Sequence, residues 1–285
     1  MIRELRSPDE LRAACGDDDL VMWAGQGLRG GARAWALHDA VVAGSPLVSR
    51  RDRLAVWGGT SGAVRLVRHA LGELGATYRP LGETELMRRV VAGLDGVRES
   101  GRFSWMTLPG EVADPAGRDG APRDDDQRDG GRGAGAEVGA RGGADDAISG
   151  AGIGGVGIGG VGWLDGGAEA EVAALLAADA PHSYAVPGAS GVTRWAGVRV
   201  DGVLAAVAAE AWSAPTVGLL AGVATRAGLR GRGLAERVCR WVSAELVAAY
   251  GRAALMVDDD NPAAIGVYER IGYRRRRLLA CHVTG

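Results

Sequence analysis

Residues 226–235 read RAGLRGRGLA, and this short run decides how the chain folds. Just before it lies VGLLAGVAT (217–225), of strand length and apolar on both faces, which places it centrally in a sheet. Just after it a stripe at Leu234, Val238, Trp241, Val242 and Leu246 repeats with the helical period and stops near Gly251. A buried strand that turns through glycines into a helix presents its backbone N–H groups to whatever lies at the turn. Small residues at 231, 233 and 235 let an anion come close to those amides. The helix dipole adds roughly 0.3–1 kcal/mol. Arg230 and Arg232 can each supply a charge-assisted hydrogen bond of about 1.5–3 kcal/mol. No single contribution secures a diphosphate, but several amides together do.

Working outward, ALMVD (254–258) reads as a second buried strand, and Asn261 and Pro262 follow in the preferred order of N-cap and first helical residue. Gly272 ends that helix, and YRRRRLLACHV (273–283) reads as a closing edge strand. Upstream, residues 168–180 form an Ala/Leu/Glu-rich helix ended by Pro181. RWAGVRV and VLAAVAAEAW flank Asp201-Gly202, a dipeptide suited to a two-residue type I′ hairpin turn.

Arg230-x-x-Gly233-x-Ala235 at the start of a long helix, then a strand, then Asn261, Ala264, Tyr268, Gly272 and Tyr273 within DDDNPAAIGVYERIGY, resembles the GNAT acetyltransferase superfamily. The resemblance covers roughly residues 163–285 and is nearest to the C-terminal domain of glycine N-acyltransferase-like proteins. It implies an α/β, α+β-layered fold with a mixed, mostly antiparallel sheet flanked by helices. It also implies acetyl-CoA or another acyl-CoA as co-substrate, no metal, and direct attack by a primary amine of a small molecule or amino acid. Carried onto this chain, the backbone of Val223, Ala224 and Thr225 would pair with the pantetheine arm. Arg230, Gly231, Arg232, Gly233, Leu234 and Ala235 would hold the diphosphate. Asn261 and Tyr268 would flank the thioester, with Tyr268 protonating or hydrogen-bonding the departing thiolate, and Ala264 would join the residues that bind the cofactor. A phenol near pKa 10 giving its proton to a thiolate near 8.5 runs uphill by about 1.5 units, or roughly 2 kcal/mol, so a hydrogen bond is the easier role. Glu210, Asp258 or Asp259 would take the proton of the amine. Ala227 stands where many relatives have proline, which should loosen the turn.

Each of these residues has a plainer reading. Tyr268 is spaced from Ala264 and Ile265 as a packing residue would be, Asn261 also reads as a helix cap, and Glu210 as a solvated strand residue. Asp258 to Asp260 complement a helix dipole, and Arg274 to Arg277 read as a solvated face near the C-terminus, or as a lure for an acidic acceptor. The four histidines form no cluster. A non-catalytic module that binds acyl-CoA and reports it would keep the cradle but would not need Tyr268.

The chain has 285 residues, 47% hydrophobic and 24% charged, with a formal net charge of −2. That balance argues against a nucleic-acid or membrane-surface binder. Every basic residue is Arg, which reads as base-composition bias in the genome. Cys15, Cys239 and Cys281 are far apart with no metal-ligand spacing, so they read as reduced, inert thiols. The start is charged, and no run approaches the roughly 18 apolar residues of a membrane span. A soluble, cytoplasmic monomer or homodimer is expected.

No aromatic residue lies between Trp105 and Trp163, and 17 of residues 111–162 are Gly. Such a stretch cannot bury enough surface to offset its ordering entropy, so a flexible linker is expected there. Within it GIGGVGIGGVG (152–162) satisfies a G-x-G-x-x-G spacing twice, but no buried strand feeds it and no helix opens inside it, so it reads as low-complexity sequence. The linker would separate a domain at 1–110 from one at 163–285. In the first, RLAVW (53–57), GGTSG and helical stripes at Val64, Val67, Leu71, Leu74 and at Met87, Val90, Val91, Leu94 give strand, helix, strand, helix, strand. This order mirrors the C-terminal half without its Arg-Gly motif. A degenerate second copy of the fold is expected, one that does not bind CoA.

Overall fold

The computed structural model describes residues 1–110 and 157–284. Most of the expected linker, 111–156, lies outside the described residues. The chain runs twice through one series of elements. The first pass is β1 (Arg3–Leu5), α1 (Pro8–Cys15), α2 (Asp19–Gly25), β2 (Arg33–Leu37), β3 (Ala40–Val48), β4 (Arg51–Gly58), α3 (Thr60–Leu74), β5 (Arg79–Glu83), α4 (Thr84–Ala92) and β6 (Val97–Pro109). The second is β7 (Gly162–Trp163), α5 (Glu169–Asp179), β8 (Val192–Val200), β9 (Val203–Ala211), β10 (Gly218–Thr225), α6 (Leu234–Tyr250), β11 (Arg252–Asp258), α7 (Pro262–Ile271) and β12 (Arg274–Val283).

The twelve strands of the described residues join one sheet in the order β1-β2-β3-β4-β5-β12-β6-β11-β10-β9-β8-β7. Reading that order backwards and exchanging each strand for its counterpart six places along returns the same order. The two passes are therefore related by a pseudo-two-fold between β6 and β12, the tandem arrangement that the sequence suggested. Each pass also hands its last strand to the other. β6 pairs with β11 and β12, and β12 pairs with β5 and β6. The halves thus share a sheet and do not stand as separate bodies.

This arrangement revises the edge-strand reading of residues 273–283. Arg275 to Arg277 offer the charged profile of an edge, but Leu278, Leu279 and Cys281 are fully buried and both sides of β12 are paired. The true edges are β1 and β7, and β7 corrects the linker boundary. Residues 157–162 lie along β8, with Ile158 bridging Val200, Gly159 N–H donating to the Arg199 carbonyl at 2.9 Å, and Gly162 paired with Gly197. The second glycine set of GIGGVGIGGVG is a strand margin and opens no helix.

Strand alternation distributes the core to both faces. Leu219, Ala55 and Leu278 join α1, α2 and α5 in one cluster. Leu220 packs under α6 and α7, and Leu54, Val56 and Leu279 under α3 and α4. Asp201 and Gly202 both have positive φ, 50° and 79°, as the type I′ turn between β8 and β9 requires. Among the described residues no helix is long and apolar enough to cross a membrane.

Candidate active site

Two local features build the site. The first is a gap in the sheet. β10 and β11 run parallel, but their pairing covers only Gly218 to Leu220 against Ala253 to Leu255, although β10 continues to Thr225 and β11 to Asp258. On its other side β10 carries a bulge against β9 between Ala221 and Ala224. Gly222 makes that bulge with φ +61°, and a Cβ there would lie 2.5 Å from the Trp195 ring. A bulge adds local twist and bends the strand away from its neighbour. Beyond Leu220, backbone groups of β10 that face β11 have no strand to pair with among the described residues. Val223, Ala224 and Thr225 lie on this stretch. The Thr225 carbonyl, however, already accepts from Arg230 Nε at 3.2 Å.

The second feature is the turn into α6. Gly231 and Gly233 hold φ of +76° and +73°, and Gly233 is the N-cap residue with no side chain to cap the helix. Among the described residues, no backbone or side-chain acceptor receives the amides of residues 231–236. A Cβ added at either glycine would meet nothing within 4 Å. Six consecutive N–H groups at the positive end of a 17-residue helix are therefore without a protein partner among the described residues, and the approach at both glycines is open. Arg232 is exposed beside them and makes no hydrogen bond or ion pair among the described residues. Arg230 is placed differently from the expectation. Its guanidinium turns back to the Thr225 carbonyl and, through Nη2 at 3.1 Å, to the Asp179 carbonyl. It fixes the turn from behind. Ala227 departs from expectation too: its N–H donates to Asp179 Oδ1 at 2.9 Å, a bond proline cannot make, so this residue ties the turn to the end of α5.

Residues 197–281 match the family model described as FR47-like protein. The chain superposes on a GCN5-related N-acetyltransferase from Kribbella flavida at 16% identity, with 96% of this chain and 95% of that one covered and a TM-score of 0.52. A GCN5-related N-acetyltransferase from Sphaerobacter thermophilus gives 15% identity, 99% and 94% coverage and a TM-score of 0.51. A Drosophila protein gives 11%, 99% and 98%, with a TM-score of 0.53. This is a GNAT fold. No curated protein sequence matches the chain, and the likeness to glycine N-acyltransferase-like proteins draws no support from these comparisons.

In this fold α7 follows β11 and carries Ala264 and Tyr268, with Asn261 at its start. Asn261 caps the helix as read from sequence, its Oδ1 accepting from Ala264 N–H at 3.1 Å, and its side-chain NH₂ has no hydrogen-bond partner among the described residues. Tyr268 is 7% exposed and packs edge-on to Tyr273 at 5.9 Å, beside Cys239 of α6. Its hydroxyl has no hydrogen-bond partner among the described residues. Burial above all, with the neighbouring Cys239 and Tyr273 adding to it, holds the phenol well above its ordinary pKa of 10. Proton transfer to a thiolate then runs further uphill than the 1.5 units of an ordinary phenol, which strengthens the hydrogen-bonding role over full transfer.

The proton-acceptor candidates fare unevenly. Glu210 is 1% exposed, neither solvated nor free. Arg194 Nε donates to its Oε2 at 2.8 Å and the Tyr250 hydroxyl donates to Oε1. Tyr250 sits at the far end of α6 from the cradle, about 24 Å along a helix rising 1.5 Å per residue. Glu210 is thus a buried ion-pair partner remote from the diphosphate end, and both its oxygens are in use. Asp259 accepts from Ser104 Oγ at 2.5 Å and from Arg275 Nη2 at 2.8 Å. Asp258 is exposed, and its carboxylate, like that of Asp260, makes no hydrogen bond or ion pair among the described residues. The arginine run is no uniform solvated face either. Arg276 reaches Asp18 and Asp19 at the start of α2, while Arg275 holds Asp259.

The N-terminal copy repeats the gap but closes the cradle. β4 and β5 pair only from Arg53 to Ala55 against Arg79 to Leu81. At the start of α3, however, the Asp39 carboxylate from the β2–β3 turn lies against Gly59, where a Cβ would be 2.3 Å from Asp39 Oδ2. A Cβ at Gly62 would be 2.7 Å from the Ala40 methyl. An internal carboxylate and a packed turn thus occupy the place that is open before α6.

Proposed function

We propose that the chain is an acyl-CoA-dependent N-acetyltransferase, moving an acetyl or other acyl group from acetyl-CoA to a primary amine of a small molecule or amino acid by direct attack. The observation that carries this reading is the row of unpartnered amides at residues 231–236, set at the mouth of the gap between β10 and β11. These amides and Arg232 suit a diphosphate, since the helix start favours negative charge and both glycines leave its approach open. The free backbone of residues 221–224 suits a pantetheine arm laid along β10 as an added strand. A bound acyl-CoA supplies an acyl carbon with a thiolate leaving group. Tyr268 then donates a hydrogen bond to the sulfur as the C–S bond breaks and the C–N bond forms. Asp258, directly or through water, takes the proton the amine must lose, and an α-amino group near pKa 8 needs less help than an alkylamine near 10.4.

The pairing of Glu210 favours a second reading, a module that binds acyl-CoA without turnover, because it removes one candidate base. Calorimetric titration with coenzyme A and a thiol-release assay over a panel of amines separate the readings. The enzyme binds CoA and releases thiol with at least one amine. The binding module shows the first result without the second, and neither reading survives an absence of CoA binding.

A further inference from the structure

Arg53 on β4 is 7% exposed, yet among the described residues its side chain makes a single hydrogen bond, from Nε to the Val48 carbonyl at 3.4 Å. Beside it on the same strand face stands Arg51, and across the parallel pairing, directly opposite, stands Arg79. Among the described residues no carboxylate lies within ion-pair distance of any of the three. Neighbouring strands run about 4.8 Å apart, so three like charges share one small area, an arrangement that destabilises a sheet unless something offsets it. Burial, with the adjacent Arg51 and Arg79, drags Arg53 down to about 10. Buried charges in proteins are normally paired, and a guanidinium fork suits a carboxylate or phosphate.

The position of this cluster shows what would pair it. Arg51 and Arg53 share a face with Ala55, and Arg79 with Leu81, and both apolar residues belong to the cluster that also contains Ala185, Trp195 and Ala224. Ala185 abuts the bulge of β10, 3.1 Å from where a Cβ of Gly222 would be. The residue before it, Tyr184, accepts a hydrogen bond from Arg51 Nη2 at 3.0 Å. One loop of the C-terminal half thus reaches from the bulge of the donor strand to the arginines of the N-terminal half.

We propose that Arg51, Arg53 and Arg79 bind the anionic group of the acceptor, so that the preferred acceptor is an amine that also carries a carboxylate. The inference rests on the acyl-transfer reading and gives the degenerate copy a role, to select the acceptor. The test is calorimetry with N-acetylglycine and N-acetylglycinamide, products that differ only in the carboxylate, on the parent and on the R51Q/R79Q double variant. The parent binds the carboxylate form about tenfold tighter or more. The double variant, both of whose substitutions lie outside the core, binds the two alike. Arg53→Met removes the buried cation, and its melting temperature rises while the preference falls. Equal binding of both probes by the parent, or an undiminished preference in the double variant, overturns the proposal. Thiol release with glycinamide as acceptor keeps the two claims apart. It persists in the double variant if the chain is an acyltransferase, and its absence from the parent with every amine counts against acyl transfer while leaving the carboxylate preference to the calorimetry.

Discussion

Gly233→Asp would give α6 an internal anion comparable to the one Asp39 places before α3. Gly233 has φ +73°, a region where Asp and Asn are the best tolerated side chains after glycine, and a Cβ there meets nothing within 4 Å. The backbone cost is therefore about 1 kcal/mol, which lowers the melting temperature by roughly 2–4 °C for a chain of this size. The electrostatic cost to a diphosphate is larger. Two unit charges about 5 Å apart at an effective dielectric of about 20 repel by about 3 kcal/mol, a factor of more than about 100 in Kd. Gly233→Asn has the same shape and the same left-handed tolerance without the charge. Calorimetry with CoA should show the Asn variant within about fivefold of the parent and the Asp variant weaker than the Asn variant by about a hundredfold. Equal affinities for the two variants would refute the placement of the diphosphate at the start of α6.

Tyr268→Phe should lower kcat by about tenfold to a hundredfold and leave the Kd for CoA within about twofold, because the hydroxyl has no structural partner to lose; an unchanged kcat would return Tyr268 to a packing role. Glu210→Gln should lower the melting temperature through the weakened bonds to Arg194 and Tyr250 while kcat stays within about twofold, and a collapse of kcat in folded protein would restore Glu210 as the base. Burial raises Asp259, but Ser104 and Arg275 outweigh it, so its folded pKa lies below the ordinary 3.8. It therefore contributes stability above that value, which fades as the pH falls through the folded pKa. In denaturant titrations Arg275→Gln should be less stable than the parent at pH 6 and closer to it at pH 3. Residues 157–285 alone should not yield a folded protein, since β11 would lose β6 along its whole length, whereas co-expression with residues 1–110 should restore a soluble pair; a folded C-terminal fragment would contradict the shared sheet.

What the sequence made legible was local. The turn into α6, the Asn261 cap with Pro262 behind it and the Asp201-Gly202 hairpin each depend on residues within one turn of one another, and each is found where the spacing places it. The pairing of distant segments was not legible. Arg276, within four consecutive arginines, read as solvated because its partners, Asp18 and Asp19, lie more than 250 residues away in the chain. Glu210 read as exposed or catalytic because nothing in its own strand announces Arg194 or Tyr250. The exchange of β6 and β12 left no signal either, since periodicity shows which side of a strand is apolar and is silent on which strand lies beside it. Asp39 escaped notice for the same reason: it closes a helix start that follows it by twenty residues and one strand pair.

The most direct test of the central claim is a crystal structure of the chain with coenzyme A bound. The account predicts diphosphate oxygens within about 2.7–3.2 Å of several amides of residues 231–236, with the pantetheine arm alongside β10. A diphosphate bound elsewhere, with those amides facing solvent or protein, would contradict it.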